Sequence, residues 1–233
     1  MPDSPALPHN ENRKAPMSEP VLSVVIPTRD RLEVLVRSVG PMTEKACQLN
    51  VNDVVRIRGP YGHSFSLPED RLVVFAGAGV GIAPVHHAAR IHPGPKRIFI
   101  GAVTADELVY LDSFRQLGDV SVSTDDGSAG FQGYIAQLVE KALVEENLAP
   151  PIFLNCGPEL AMKALDEVER KYAPPEDIFH VVERYTSCGI GICGKCSIET
   201  GERTCVDGPV HSAVTFSPGQ SHRDLTGKKV RYG

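Results

Sequence analysis

Two rhythms of apolar and polar positions run along this chain of 233 residues. Between residues 71 and 183, short β-branched runs alternate with longer segments whose apolar residues recur every three or four positions. LVVFAG (72–77), RIFIGAV (97–103), DVSVST (119–124), PIFLNC (151–156) and DIFHVVE (177–183) have the length and composition of strands. IAPVHHAARI (82–91), DELVYLDSFRQL (106–117), GYIAQLVEKALVEEN (133–147) and PELAMKALDEVERKY (158–172) predict helices. The second of these rests on Leu108, Leu111, Phe114 and Leu117, and the last is stopped by Pro174 and Pro175. Strands separated by helices imply an α/β domain, a five-stranded parallel sheet with helices on both faces. Upstream, VLSVVIP (21–27), EVLVRSV (33–39) and DVVRIRG (53–59) predict three strands, and GPYG (59–62) predicts the turn that closes them.

The chain therefore divides into five parts. Residues 1–20 hold five prolines and few apolar positions and are expected to be mobile. Residues 21–70 are β-rich, 71–183 are the α/β part, and 184–216 are rich in glycine and cysteine. Residues 217–233 form a polar tail in which Arg223, Lys228, Lys229 and Arg231 outnumber Asp224, a local balance of +3. Such a tail reads as a solvated end or, more sharply, as a dock for an acidic partner.

Composition narrows the function classes. Apolar residues at 42% and charged residues at 23% are ordinary for a globular chain. Aromatics at 6%, without tryptophan, speak against stacking platforms for single-stranded nucleic acid. A net charge of −5 supplies no basic field, so no nucleic-acid partner is expected. The longest apolar run, Leu72–Val85, is too short for a membrane span and is broken by Gly77, Gly79 and Gly81. The N-terminus lacks the apolar core of a signal peptide, so a cytoplasmic chain without membrane attachment is expected.

Four of the six cysteines fall in one stretch, Cys188-x4-Cys193-x2-Cys196-x8-Cys205. The first three spacings match the plant-type [2Fe–2S] arrangement, with a more distant fourth ligand. Two irons need four thiolates around one small inorganic core, and a tight loop must bring three of them together. Gly189, Gly191 and Gly194 allow that loop to turn and let N–H groups approach the sulfurs. A structural zinc site usually shows two knuckles of two cysteines each, which this spacing lacks; zinc and disulfides remain the alternatives. Cys47 reads as a small buried hydrophobe in a helical turn.

Gly77, Gly79 and Gly81 directly follow the first strand of the α/β part. Glycines there let a pyrophosphate lie against backbone N–H groups at the start of the next helix. The pattern is not the full dinucleotide fingerprint, and a structural turn is its alternative. Thr124-Asp125-Asp126-Gly127-Ser128 and Cys156-Gly157-Pro158 follow the third and fourth strands on the same rim, which makes a bound nucleotide the better interpretation. A nicotinamide moves two electrons as hydride, whereas a [2Fe–2S] cluster moves one. A flavin handles both, so a flavin site is expected, at least in part within residues 1–68.

ERYTSCGIGICGKC (183–196) and CVDGPV (205–210), with FAGAGVGIAPV, GPYG, TDDGS and NCGPELAMKAL in order, resemble the electron-transfer subunits of the NAD-linked, type B dihydroorotate dehydrogenases, within the ferredoxin–NADP reductase superfamily. The resemblance spans about residues 34–211. It implies a flavin-binding β-barrel, a nucleotide domain and a small iron–sulfur module. It further implies electron flow from the FMN of a catalytic subunit, where dihydroorotate is oxidised, through [2Fe–2S] and FAD to NAD in pyrimidine (UMP) biosynthesis. A heterotetramer of two subunits of each kind is implied as well. Carried over by position, Cys188, Cys193, Cys196 and Cys205 are the cluster ligands. Gly77, Gly79, Gly81, Asp125, Cys156, Gly157 and Pro158 would face NAD, with Asp125 repelling a 2′-phosphate. The family's flavin motifs correspond to Pro16, Met17 and Ser18, and to Gly40 and Thr43. The family carries an arginine where Ala15 stands and phenylalanine where His211 stands. Only fourteen residues precede Ala15, and three strands cannot close a barrel, so the barrel is expected to be N-terminally incomplete. Iron–sulfur subunits of sulfide dehydrogenase or NADPH–ferredoxin oxidoreductase type are the nearest alternative. A zinc-stabilised interaction module or an inactive truncated product is the alternative of another class.

Overall fold

The structure is a computed structural model, and it describes residues 36, 38, 40–146, 148 and 150–219. The strands expected at 21–27 and over most of 33–39, the flavin residues Pro16, Met17 and Ser18, and all of the tail beyond Gly219 lie outside the described residues. Seven strands form one sheet: β1 (Val73–Ala78), β2 (Lys96–Ala102), β3 (Asp119–Thr124), β4 (Phe131–Gln132), β5 (Ile152–Cys156), β6 (Ile178–Val181) and β7 (Val210–Ser212). Their order is β4-β3-β2-β1-β5-β6-β7, all parallel except β7, which runs antiparallel to β6. The five expected strands are all present. The two-residue β4 and the three-residue β7 are too short to announce themselves as hydrophobic runs.

The period of two along each strand builds two cores. Val74, Ala76, Phe99 and Phe153 face α4 (Ile135–Glu145) and α5 (Glu159–Glu169), where Val139, Leu143 and Leu165 meet them. Val73, Phe75, Ile98, Ile100 and Leu154 point the other way, onto Ile82, Val85 and Ala89 of α2 (Ile82–Ile91) and onto Phe114. Every residue of β1 and β5 is buried, as the central strands of a sheet covered on both faces must be.

The predicted helix over 106–117 is not continuous. A 3₁₀ turn at Ala105–Glu107 is followed by Tyr110 in the left-handed region (φ 59°), and only Leu111–Arg115 is α-helical (α3). Tertiary packing overrides the periodicity here. Tyr110 stacks on His86 of α2 at 4.9 Å with ring planes 11° apart, and Phe114 meets the same imidazole edge-on. The leucines are satisfied by lying on the sheet core rather than on one helical stripe.

Residues 53–59 do not form the predicted strand. Ile57 makes a single bridge, and Val51 and Val54 are each 91% exposed. A β-branched run becomes a strand only beside a partner, and among the described residues this one has no ladder. Cys47 likewise departs from expectation: it ends the seven-residue α1 (Pro41–Cys47) and is exposed, its thiol directed to the Val36 carbonyl at 3.7 Å.

The cysteine-rich segment is sewn to the sheet. β7 pairs with β6, and Ala213 donates its N–H to the Ile178 carbonyl. At the C-terminal cap of α5, Arg170 reaches across to the Ala213 carbonyl at 2.9 Å and to Asp166 at 2.7 Å. Asp166 also accepts from the buried His180 of β6 at 3.2 Å. Burial alone would push the Asp166 carboxyl up; the hydrogen bonds from His180 and Arg170 prevail and hold it below its ordinary value. Val182, Ile198 and Phe216 close a small core of their own beneath this junction. No helix among the described residues is long and apolar enough to cross a membrane.

Candidate functional site

The nucleotide rim is built at the carboxyl ends of the parallel strands. After β1 the chain makes a 3₁₀ turn over Gly79–Gly81 and enters α2, whose N-terminus has no side-chain cap. Gly79 takes φ 54°, and a side chain there would point into open space. That is a gap at uncapped helix N–H groups, which suits an anion. Gly81 is required for a different reason. A Cβ at Gly81 would strike the Cys156 carbonyl and come within 2.5 Å of the Gly157 nitrogen. Gly157 in turn leaves no more than 2.8 Å between its own Cβ position and that of Ala78. The turns after β1 and β5 thus touch backbone to backbone, and Pro158 then starts α5. Cys156 is 2% exposed, with its thiol packed in the α2-side core. Burial, aided by Glu183, pushes that thiol up, so it stays neutral, and Cys156 reaches the rim by its backbone.

The loop after β3 folds over the end of β2: Asp125 N–H donates to Ala102 and Asp126 N–H to Val103. Asp126 is committed to this loop. It accepts from the Ser128 hydroxyl at 2.6 Å and from the Ser128 N–H at 2.9 Å, which hold its carboxyl below the ordinary value. Asp125 is exposed, and its carboxylate is not engaged by any described residue. The fold therefore makes Asp125, not Asp126, the acid available to a ligand. Gly40 and Thr43 come together at the start of α1. There the Thr43 hydroxyl accepts from Gly40 N–H and donates to Gly40 O, both at 3.0 Å.

The four clustered cysteines are free thiols. No three His, Cys, Asp or Glu side chains among the described residues converge as they would on a single metal ion. The thiols lie near enough to act on one another, Cys188 on Cys193, and Cys205 on both Cys196 and Cys188. Four thiolates gathered in one loop are what a two-iron core needs. The loop supplies the N–H groups: Cys193 donates to the Cys188 sulfur at 3.5 Å, and Gly189, Gly191 and Gly194 all take φ near +70°. Hydrogen bonds from Ile190 and Cys193 pull the Cys188 thiol down to about 6, the direction that makes a thiolate ligand. Burial pushes Cys205 up to about 11, and the neighbouring Cys196 adds to it; a bound cation would draw such a thiol toward its thiolate form. The donor set and its N–H cradle thus fit a [2Fe–2S] cluster.

Two elements around the cysteines were not singled out from the sequence. Arg203 ties the loop's arms together, donating to Gly191 O at 2.7 Å and to Asp207 at 3.2 Å. Residues 59–63, expected only as a turn, dock on the segment instead. Gly62 N–H donates to the Cys205 carbonyl and His63 N–H to the Gly208 carbonyl, each at 2.9 Å. The signal was available in the glycines of GPYG, since a Cβ on Gly62 would collide with Gly208.

Residues 183–216 match the model of the iron–sulfur cluster binding domain of dihydroorotate dehydrogenase B. Over 207 residues the chain is 36% identical to a Methanocaldococcus jannaschii protein described as a probable dihydroorotate dehydrogenase B (NAD(+)) electron transfer subunit, covering 84% of this chain and 78% of that protein. The chain belongs to this family of electron transfer subunits. A Caldanaerobacter subterraneus member, the electron transfer subunit of dihydroorotate dehydrogenase B (NAD(+)), is 32% identical over 188 residues, covering 78% of this chain and 73% of that one. Among solved structures, that of an NADH-dependent reduced ferredoxin–NADP oxidoreductase superposes with a TM-score of 0.67 at 26% identity, over 78% of this chain and 67% of that chain. The chain is thus an electron-transfer component with a ferredoxin–NADP reductase-like architecture, its parallel sheet followed by the iron–sulfur segment.

Proposed function

We propose that this chain carries electrons from the FMN of a dihydroorotate dehydrogenase catalytic subunit to NAD in pyrimidine (UMP) biosynthesis, in an assembly of two subunits of each kind. The observation that carries this is the gathering of four cysteines in a glycine-turned loop, with an N–H directed at the Cys188 sulfur, anchored by β7 to a sheet with a glycine-built rim. When bound, the cluster exchanges single electrons and FAD converts between one- and two-electron carriers. Cys188, Cys193, Cys196 and Cys205 hold the cluster, while the N–H groups around Gly189, Gly191 and Gly194 stabilise charge on the sulfurs. The turn at Gly77, Gly79 and Gly81 and the turn at Gly157 and Pro158 receive the NAD pyrophosphate, and Asp125 binds the adenosine ribose. Gly40 and Thr43, with Pro16, Met17 and Ser18, contribute to the flavin site.

The likeness to the ferredoxin–NADP oxidoreductase favours one second reading, in which the same cofactors serve a ferredoxin-linked partner. The experiment is anaerobic purification with and without the catalytic FMN subunit. A [2Fe–2S] spectrum that Cys196→Ser removes, flavin in acid extracts, and NAD reduction driven by dihydroorotate are the expected results. Cofactors present but electrons passing only to ferredoxin would establish the second reading. A colourless protein without iron would refute both.

A further inference from the structure

Residues 58–63 cross the cysteine-bearing loop from one arm to the other. At one end, Gly62 and His63 bond to the carbonyls of Cys205 and Gly208, and the His63 ring is 3.2 Å from the Val206 carbonyl. At the other end, the Tyr61 ring covers Gly189, the residue after Cys188. Gly189 takes φ 68°, and a Cβ there would be driven into that ring and come within 2.8 Å of the Arg58 guanidinium. The guanidinium stands over the Tyr61 ring, 5.5 Å from its centroid. It is exposed, and no carboxylate among the described residues pairs with it. A positive charge, held by an aromatic face, thus sits against the backbone of the loop in which Cys193 N–H bonds to the Cys188 sulfur.

We infer that Arg58, positioned by Tyr61, tunes the reduction potential of the group held by Cys188, Cys193, Cys196 and Cys205. This rests on the proposed [2Fe–2S] assignment. Reduction adds one negative charge to the site, so a nearby cation stabilises the reduced form more than the oxidised one and raises the potential. Neither residue is a ligand or touches substrate. Arg58 acts through space and Tyr61 acts through Arg58, so both are positioning residues.

The test is an EPR-monitored redox titration of the purified full chain and its variants. Arg58→Gln should favour the oxidised state about fivefold, ~40 mV downward for one electron at 59 mV per tenfold. Arg58→Glu should move it about twice as far, and Arg58→Lys should stay near wild type. Tyr61→Phe keeps the π-face and should match wild type. Tyr61→Leu keeps the cover but loses the cation's seat; it should lower the potential in the wild-type background and do little in the Arg58→Gln background. The Arg58→Gln shift should shrink as salt rises. An unchanged potential across the Arg58 charge series overturns the inference. A wild-type chain without a [2Fe–2S] signal overturns the assignment beneath it instead, so the two failures are distinguishable.

Discussion

Glu169 offers a quantitative test of the structure, because its carboxyl is buried where an ionised form is expensive. It lies on α5 at 0% exposure, accepts from Asn155 Nδ2 at 2.6 Å through one oxygen, and has no partner for the other. Burial, reinforced by the charge of Asp166, pushes its pKa from an ordinary 4.5 to about 8, against the opposing hydrogen bond from Asn155. A carboxyl whose folded pKa is raised contributes its full stability below the unfolded value and loses it as pH climbs to the folded one. The loss runs from pH 4.5 to about 8. At 1.36 kcal/mol per unit it reaches about 3 kcal/mol at pH 7 and about 5 kcal/mol at completion. Glu169→Gln cannot ionise. The stability difference between variant and wild type should therefore grow in the variant's favour by about 1.4 kcal/mol per pH unit across that window and level off above it. Urea unfolding followed by circular dichroism at half-unit steps from pH 5 to 8.5 measures this, with Glu167→Gln, an exposed neighbour on the same helix, as the control. A Glu169→Gln difference that stays constant with pH would refute the buried, neutral acid.

Two further predictions probe the rim. Gly81→Ala forces a methyl against the Cys156 carbonyl and the Gly157 nitrogen, backbone atoms that cannot rotate away; NADH affinity by calorimetric titration should fall at least about tenfold while the cluster spectrum persists. Wild type should favour NADH over NADPH in kcat/KM, and Asp125→Ser should narrow that ratio by about tenfold, or 1.4 kcal/mol; equal use of both by wild type would remove Asp125 from this role.

The α/β part was legible because its signals are local and redundant. β1 and β5 are short, largely apolar runs, and α2 and α4 have apolar stripes, so period and length alone placed them within one or two residues. Where two forces competed, the periodic signal misled. Leu108, Leu111, Phe114 and Leu117 satisfy a helical spacing, yet stacking of Tyr110 on His86 breaks the helix between them. Cys47 and the run 53–59 failed for a related reason: burial and strand pairing require partners, and composition does not supply them.

The cysteine and glycine spacings alone determined the kind of chemistry, because ligand number and loop turning are set by short stretches of covalent chain. Tertiary structure alone decided how those stretches serve one another. The approach of Cys205 to Cys196, the anchoring of their segment through β7 and Arg170, the commitment of Asp126 to Ser128 while Asp125 stays exposed, and the seating of Arg58 and Tyr61 on Gly189 all join residues far apart or set neighbours apart. Such contacts follow from packing and backbone register over the whole fold, which no window of sequence contains.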